Sequence, residues 1–325
     1  MTIDRGKTAG NAGGNGGGQV AAKRPEKVTL KVYRFDPDLD KEARIEVYDI
    51  PWTDGMTVLD TLFWVLERVD GTLAFRFSCR EGICGACALF INGSYRLACE
   101  TQVARLLDEG RTEIHVMPLP HLPVIKDLVV DMARFWANYE SIAPWIVARS
   151  KAPEKERLQS PKDRKRIDEY VGCILCGSCF SACPASWTDK DYLGPNAMMK
   201  TWRWVDDTRD AAKDERLGLV AGEKGAWRCH TVFNCVEACP KKVNQAAAIQ
   251  GLKRKTVSAM LRGAKGLKQG RKGLEEEVRS PGSARSWAWA GPPSPIRWSC
   301  RRPPATRSSS ATSSARAAPP CCFRC

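Results

Sequence analysis

The chain has 325 residues, of which 43% are hydrophobic and 27% charged, and these proportions are typical of a globular protein with two domains. No nucleic-acid recognition motif accompanies its formal net charge of +14, so we do not expect nucleic acid as a partner. The 15 cysteines far outnumber the 3 histidines. The sequence has neither a secretory signal nor an apolar run of the roughly 18 residues that a membrane helix needs, so we expect its cysteines to bind metal rather than form disulfides.

The beginning of the chain predicts two strands followed by a helix. Residues 1–26 are rich in glycine and are predicted to be disordered. VTLKVYRF, which begins at Val28, and ARIEVYDI, residues 43–50, alternate apolar and polar residues as strands do. TVLDTLFWVLERV, residues 57–69, carries an apolar stripe of helical period, with Thr57 as a candidate N-cap.

Short strands are predicted next, around ALFING and TEIHVM. The pair Asn92-Gly93 lies between ALFI and SYRLAC and is a strong signal for a tight hairpin turn, which would carry Cys99 back toward an earlier cysteine-bearing loop. Residues 27–120 are therefore predicted to form a small sheet that grips one helix.

The character of the sequence changes near residue 120, where we expect a domain boundary. VIKDLVVDMARFWANYESI, which begins at Val124, is amphipathic at helical spacing, and SKAPEKERLQSPKDRKR, residues 150–166, is predicted to be an exposed connection. Helical periodicity continues to about Gly263. Residues 121–264 are thus predicted to form an α-helical domain, and the whole protein an α+β fold.

Residues 265–325 are predicted to be a linker and a low-complexity tail. From about Arg279 the tail has no acidic residue and is rich in Arg, Pro, Ser and Ala, a composition that does not build a core. A reading-frame artefact would produce such a segment, and genuine disorder is the alternative. We assign no function to its cysteines, Cys300, Cys321, Cys322 and Cys325.

Four cysteines of the first domain have the spacing of a plant-type [2Fe–2S] site. SCREGICGAC contains a C-x₄-C-x₂-C pattern, and a fourth cysteine follows downstream. Gly82 and Gly85 allow the backbone to wrap closely around a small cluster. A structural zinc site also uses four cysteines, but zinc ribbons usually offer two C-x₂-C knuckles and this loop has one. The predicted ligands are Cys79, Cys84, Cys87 and Cys99.

Seven further cysteines predict two more clusters. CILCGSCFSACP is the bacterial ferredoxin run C-x₂-C-x₂-C-x₃-C-P, whose fourth cysteine binds the other cluster of a pair. CHTVFNCVEACP supplies the second motif, but Val232 stands where a cysteine is expected. The predicted ligands are Cys173, Cys176, Cys179 and Cys239 for a [4Fe–4S] cluster, and Cys183, Cys229 and Cys235 for a [3Fe–4S] cluster. Two zinc sites would leave some of these thiols unused.

Taken together, these motifs resemble the iron–sulfur subunits of succinate dehydrogenase and of its relative fumarate reductase. The resemblance runs over about residues 28–264 and includes SCREGICGAC, DLVVDM, YLGP, the W-x-x-D-x-R-D stretch at 204–210 and RCHTVFNC. It implies an N-terminal β-grasp ferredoxin domain and a C-terminal α-helical two-cluster ferredoxin domain. It also implies an electron path from flavin through the [2Fe–2S], [4Fe–4S] and [3Fe–4S] clusters to a membrane quinone, with no catalytic residue in this chain.

The resemblance further implies a quinone site beside the [3Fe–4S] cluster. The matching positions are Pro184, Trp187, Arg228, His230 and Val232. A tryptophan N–H can donate to a quinone oxygen, and His230 would either relay protons or bond near a cluster sulfur. Thr188 stands where mitochondrial-type members often carry a second tryptophan, so both ubiquinone and menaquinone stay open. Arg80 would either raise the potential of the first cluster or pair with the flavoprotein.

The implied partners are an FAD-containing flavoprotein, one or more membrane-anchor subunits, with cytochrome b as one form, and quinone. Through them the chain would lie at the cytoplasmic face of a bacterial inner membrane, or at the matrix face of the mitochondrial inner membrane in a eukaryote. Fumarate reduction, which is the reverse reaction, and a soluble ferredoxin-type carrier are the other functions that the sequence allows. A structural zinc protein is a third.

Overall fold

The computed structural model describes residues 25–151 and 153–279. Almost all of the glycine-rich segment predicted to be disordered lies outside these residues, and so does the tail with its four cysteines. The predicted disorder of the first segment and the predicted low-complexity character of the tail stay predictions.

Five strands form the sheet of the first domain: β1 Lys27–Arg34, β2 Arg44–Pro51, β3 Ala88–Ile91, β4 Ser94–Leu97 and β5 Glu113–Met117. Their order is β2-β1-β5-β3-β4, with β1 and β5 parallel and the other pairs antiparallel. Val28, Leu30 and Val32 are buried whereas the residues between them are more exposed, which is the alternation that predicted β1.

Helix α1, Val58–Arg68, buries its apolar stripe in the core that this sheet encloses, and the short helix α2, Val103–Asp108, follows later. The Thr57 hydroxyl accepts a hydrogen bond from the Asp60 N–H, and the Asp60 carboxylate accepts one from the Thr57 N–H. This capping box fixes the start of the helix at the predicted residue. The sheet and α1 together confirm the β-grasp arrangement.

The turn between β3 and β4 is the predicted one. Asn92 and Gly93 have φ values of 47° and 78°, and two successive positive φ angles define the hairpin turn that Asn-Gly favours. The Asn92 side chain also accepts from the His115 N–H at 2.7 Å, which ties the turn to β5. The hairpin returns the chain so that the Sγ atoms of Cys87 and Cys99 lie 3.3 Å apart.

The segment after residue 120 differs from the prediction of a continuous helix. It first forms a small hairpin, β6 Val124–Lys126 and β7 Val129–Val130, and helix α3 begins only at Ala133. β-Branched residues flank a turn at Asp127, whose φ is 46°. The buried Asp127 carboxylate accepts from the Phe35 and Ala74 N–H groups and from Arg34 Nε. These long-range bonds hold the hairpin on the first sheet, and local periodicity does not reveal them.

The second domain is helical, as predicted. Its elements are α3 Ala133–Ser141, α4 Pro161–Val171, α5 Ser178–Ser181, α6 Pro184–Thr188, α7 Gly194–Val205, α8 Lys213–Val220, a 3₁₀ turn Ala226–Arg228, α9 Asn234–Glu237, α10 Gln245–Leu261 and α11 Gly266–Arg279. Helices α7, α8 and α10 pack together around a core that includes Met198, Leu217 and Leu252. None of the helices within residues 25–151 and 153–279 is both long enough and apolar enough to cross a membrane.

Two helices occupy segments that were predicted to be irregular. Helix α4 begins inside the predicted exposed connection, because the Ser160 hydroxyl accepts from the Asp163 N–H and Pro161 takes the first helical position. Helix α11 occupies the beginning of the predicted linker. It packs against α8 and buries Leu274, and a Cβ on Gly218 would lie 2.5 Å from the Leu267 carbonyl oxygen.

A buried ion pair holds α8 against the segment that follows α3. Arg216 and Asp210 are fully buried and lie 2.8 Å apart, and Arg216 also donates to the Ala143 and Trp145 carbonyl oxygens. Asp210 in turn accepts from the Val147 N–H. All the charges are satisfied, so this part of the W-x-x-D-x-R-D stretch has a structural role.

Candidate iron–sulfur sites

Backbone N–H groups surround the sulfur atoms of the first cysteine loop. The Sγ atom of Cys79 accepts from the N–H groups of Glu81, Ile83 and Cys84 at 3.3–3.4 Å. These bonds, with that of Glu81 first, lower the pKa of the Cys79 thiol to about 6. Such donors stabilise a thiolate and are one of the levers by which proteins adjust iron–sulfur clusters.

Gly82 brings the fourth cysteine into the same network. Its φ is 68°, and its N–H donates to the Cys99 Sγ atom at 3.2 Å. A Cβ at Gly82 would lie 2.0 Å from the Glu100 Oε1 atom, so a larger residue would have to displace the Glu100 side chain as well as adopt a positive φ. On the inner side, burial raises the pKa of the Cys87 thiol to about 12. The loop therefore combines donors on its outside with buried sulfur on its inside, which is the environment a [2Fe–2S] cluster requires.

Seven cysteines of the second domain divide between two cavities. One cavity is lined by Cys173, Cys176, Cys179 and Cys239, together with Asn196 and Lys241. The other is lined by Cys183, Cys229 and Cys235, together with Val232 and Tyr192. The structure thus brings together the same groups of cysteines that the ferredoxin rule assigns to two clusters.

The two cysteine runs have the same backbone geometry. Leu175 lies two residues after Cys173 and has a φ of 54°, and Thr231 lies two residues after Cys229 and has a φ of 60°. Two residues further on, Gly177 and Phe233 have φ values of 84° and 68°, and each precedes a short helix, α5 or α9. When the two runs are aligned on these positions, Val232 takes the place of Cys176. The second run therefore has the fold of a cluster loop but lacks one thiol.

These sulfur-only sites fit iron–sulfur clusters. Burial raises the pKa of Cys173, Cys176 and Cys179, and it raises that of Cys235 to about 12. Buried thiols of this kind become thiolates when a metal replaces the proton, and clusters of iron are held by such thiolates.

Two side chains at these cavities lack partners. Within the described part of the chain, no protein atom forms a hydrogen bond with the hydroxyl of Tyr192 or with the side-chain amide of Asn196. Tyr192 is fully buried and Asn196 is 1% exposed. Buried polar groups are nearly always paired, so unpaired ones beside the cysteines are consistent with a group that occupies the cavities. Sequence analysis missed both residues.

The five predicted quinone-site residues do not all line the same cavity. Pro184, His230 and Val232 line the cavity of Cys183, Cys229 and Cys235. The Trp187 N–H donates to the Ser181 carbonyl oxygen at 2.6 Å, so it is already used, and its ring stacks on His121 with centroids 3.6 Å apart. Arg228 forms an ion pair with Asp189 at 3.1 Å.

Arg80 contacts two aromatic rings of the first domain, and its two predicted roles, at the first cluster and at the flavoprotein, stay predictions. Its guanidinium lies over the rings of Phe63 and Phe77, at 4.5 Å and 5.7 Å from their centroids. Cation–π contacts of this kind hold the side chain against the first domain beside Cys79.

The first and second sites lie next to each other. A Cβ at Gly85 would be 2.8 Å from the Cys176 Cβ atom, and Glu100 pairs with Lys241 at 2.9 Å across the domains. Glu100 follows Cys99, whereas Lys241 lies two residues after Cys239. Each contact therefore joins residues beside the cysteines of one site to residues beside those of the other.

Fold and sites together define a two-domain iron–sulfur electron carrier. Residues 29–137 match the family described as a 2Fe-2S iron-sulfur cluster binding domain, and residues 165–240 match a 4Fe-4S dicluster domain. Over 244 residues the chain is 41% identical to the succinate dehydrogenase iron-sulfur subunit of Paracoccus denitrificans, covering 73% of this chain and 93% of that relative. The chain belongs to the family of succinate dehydrogenase iron–sulfur subunits.

A solved structure supports the same fold. A chain of the Mycobacterium smegmatis Sdh1 complex in the apo form is similar at a TM-score of 0.64 and 25% identity, with 71% of this chain and 96% of that chain covered. The predicted α+β class and its domain order are therefore confirmed. Family membership gives the chain a role in electron transfer within succinate dehydrogenase, with [2Fe–2S] and [4Fe–4S] clusters as cofactors.

Proposed function

We propose that this chain conducts single electrons from an FAD-containing flavoprotein to a membrane quinone through three clusters in series. The observation that carries the proposal is the contiguity of the three cysteine sites. Gly85 touches Cys176 at the junction of the first two, and Cys179, within the four-residue helix α5, and Cys183, two residues after its end, line different cavities. An unbroken row of redox sites is what one-electron transport across a protein requires.

The ligand sets follow the cavities. Cys79, Cys84, Cys87 and Cys99 would hold the [2Fe–2S] cluster, and Cys173, Cys176, Cys179 and Cys239 the [4Fe–4S] cluster. When bound, such clusters accept and release one electron at a time, so they divide the two-electron oxidation of a dicarboxylate into single steps. The chain's own residues position the sulfur atoms, donate N–H bonds to them and keep water from the buried thiols.

The third site is proposed to hold a [3Fe–4S] cluster bound by Cys183, Cys229 and Cys235. The equivalence of Val232 and Cys176 supports this, because a valine supplies no ligand for a fourth iron. A site with three thiolates and one apolar corner favours a cluster with three irons.

The exposed surface beside the third site is proposed to contact membrane-anchor subunits. Val232 is 56% exposed, Phe233 50% and Trp227 42%, and all three belong to the stretch of chain around the ligand Cys229, where exposed apolar groups indicate an interaction site. The quinone head group would enter from the same side, near Pro184 and His230. Trp187 and Arg228 would have to leave their present partners to join it.

The remaining expectations complete the proposal. The similar chain of Mycobacterium smegmatis comes from an Sdh1 complex, which supports assembly of this chain into a complex. Through its anchors, which include cytochrome b in one form, the chain would lie peripherally at the cytoplasmic face of a bacterial inner membrane.

Co-purification tests this function. An affinity-tagged chain, extracted from membranes with detergent, should carry a flavoprotein and at least one hydrophobic subunit, identified by mass spectrometry, and should reduce quinone with succinate. A chain that purifies alone without detergent, and retains full cluster content, would instead support a soluble ferredoxin-type carrier.

A further inference from the structure

The segment 192–196, sequence YLGPN, lies between the two cysteine cavities of the second domain. Tyr192 lines the cavity of Cys183, Cys229 and Cys235. Asn196, four residues later, lines the cavity of the other four cysteines. One short segment thus presents a polar side chain to each of two neighbouring sites.

Both side chains are buried without a partner. Throughout residues 25–151 and 153–279, nothing forms a hydrogen bond with Tyr192 Oη or with the Nδ2 and Oδ1 atoms of Asn196, although all three atoms are shielded from solvent. An unpaired hydroxyl or amide costs roughly 1–3 kcal/mol when buried, so such a group needs an explanation. Each cavity is lined by the cysteines that would bind a cluster, so that cluster would stand beside the unpaired group.

The backbone around the segment holds the two donors in place. Gly194 has a φ of 88°, and a Cβ there would lie 2.5 Å from the Phe180 ring, so the turn between the donors packs closely against Phe180 and requires a glycine. Helix α7, which has 12 residues, begins at Gly194. Its N-terminal end, which carries partial positive charge, therefore lies where anionic clusters would be.

We propose that Tyr192 donates a hydrogen bond to the cluster held by Cys183, Cys229 and Cys235, and that Asn196 donates one to the cluster held by Cys173, Cys176, Cys179 and Cys239. The acceptor in each case is a sulfur atom of the cluster, sulfide or thiolate. Each donor bonds more strongly to the reduced cluster, which carries one more negative charge, and so raises the potential of its own cluster. This inference rests on the ligand sets proposed above.

The test uses the purified complex and potentials measured by electron paramagnetic resonance. Tyr192→Phe removes only the hydroxyl and Asn196→Leu replaces the amide by an apolar group of similar size. We expect Tyr192→Phe to lower the potential of the third cluster alone, and Asn196→Leu that of the second cluster alone. The equilibrium constant for reduction should fall roughly threefold to tenfold, and tenfold corresponds to about 59 mV for one electron.

Thr256→Val is the matched control. Thr256 is fully buried on α10 and its hydroxyl also has no partner within the described residues, but it lines neither cysteine cavity. This variant should leave both potentials unchanged. A purely structural role for Tyr192 would predict the same result for Tyr192→Phe.

The outcomes distinguish a failure of the proposed hydrogen bonds from a failure of the proposed ligand sets. If the second and third clusters give their signals in every protein, and neither Tyr192→Phe nor Asn196→Leu shifts its own cluster, the hydrogen-bond inference is wrong while the ligand sets stand. If the unmodified complex gives neither signal, the ligand sets fail and the inference fails with them. If one variant loses its cluster on purification, the other variant still tests the hydrogen-bond inference, because the two residues line different cavities.

Discussion

Gly85 and Cys176 are in contact at the junction of the two domains: a Cβ on Gly85 would lie 2.8 Å from the Cys176 Cβ atom and 2.9 Å from the Ile174 carbonyl oxygen. The contact leaves no space for a side chain between the first cysteine loop and the second. It therefore sets how closely the first and second clusters approach.

Gly85→Ala should consequently reduce the content of both clusters, because the added methyl group both strains a backbone with φ of 74° and pushes the loops apart. Quantitative electron paramagnetic resonance of the reduced protein measures this. Gly110→Ala is the control, since its φ is 76° and a Cβ there would contact nothing within 4 Å. If both variants lose clusters equally, backbone strain rather than the contact is responsible.

Val232→Cys should convert the third cluster from [3Fe–4S] to [4Fe–4S]. The new thiol would stand where Cys176 stands in the first run, with Thr231 and Phe233 already in the required left-handed conformation. The oxidised variant should lose its [3Fe–4S] resonance, and quinone reduction should slow while succinate oxidation with a soluble acceptor persists. Val232→Ala, which adds no ligand, should keep the resonance. An undiminished resonance in Val232→Cys would contradict the assignment of the third site.

Asp127→Asn should destabilise the first domain by about 1.5–3 kcal/mol, because it removes the buried charge to which Arg34 and two backbone N–H groups donate, although Arg34 keeps its pairs with two other carboxylates. Denaturant unfolding followed by circular dichroism gives the change in free energy. The neighbouring variant Lys126→Met breaks a more exposed pair with Asp36 and should cost at most about 1 kcal/mol. Equal decreases in the free energy of unfolding would show that the buried network stabilises the domain no more than the exposed pair does.

Truncation after Arg279 should leave the cluster content and quinone reduction unchanged, because the removed segment has no acidic residue and no apolar periodicity. Truncation after Leu261 also removes α11 and its buried Leu274, and it should lower the thermal midpoint. If the variant truncated after Arg279 loses clusters, residues 280–325 have a function.

Local signals in the sequence predicted much of this fold. The alternation at Val28, Leu30 and Val32, the capping residue Thr57 and the Asn92-Gly93 turn each depend on neighbours in the chain, and the structure contains all of them. Cysteine spacing likewise grouped Cys239 with Cys173, Cys176 and Cys179, and all four line one cavity, although ligation itself stays a prediction.

Features that depend on distant contacts were not predictable. The β6–β7 hairpin replaces a predicted helix because Asp127 bonds to Arg34 and Ala74, which are far away in the sequence. The stacking of Trp187 on His121 also joins residues that are far apart in the sequence. Tyr192 and Asn196 carry no signal in their spacing, and only their burial without partners in the folded chain identifies them.

Low-temperature electron paramagnetic resonance of the complex, first oxidised and then reduced with succinate and dithionite, tests the central claim most directly. The account predicts a [3Fe–4S] signal in the oxidised protein, a [2Fe–2S] signal after succinate and a [4Fe–4S] signal after dithionite. A protein that shows none of these signals and contains mainly zinc would contradict it.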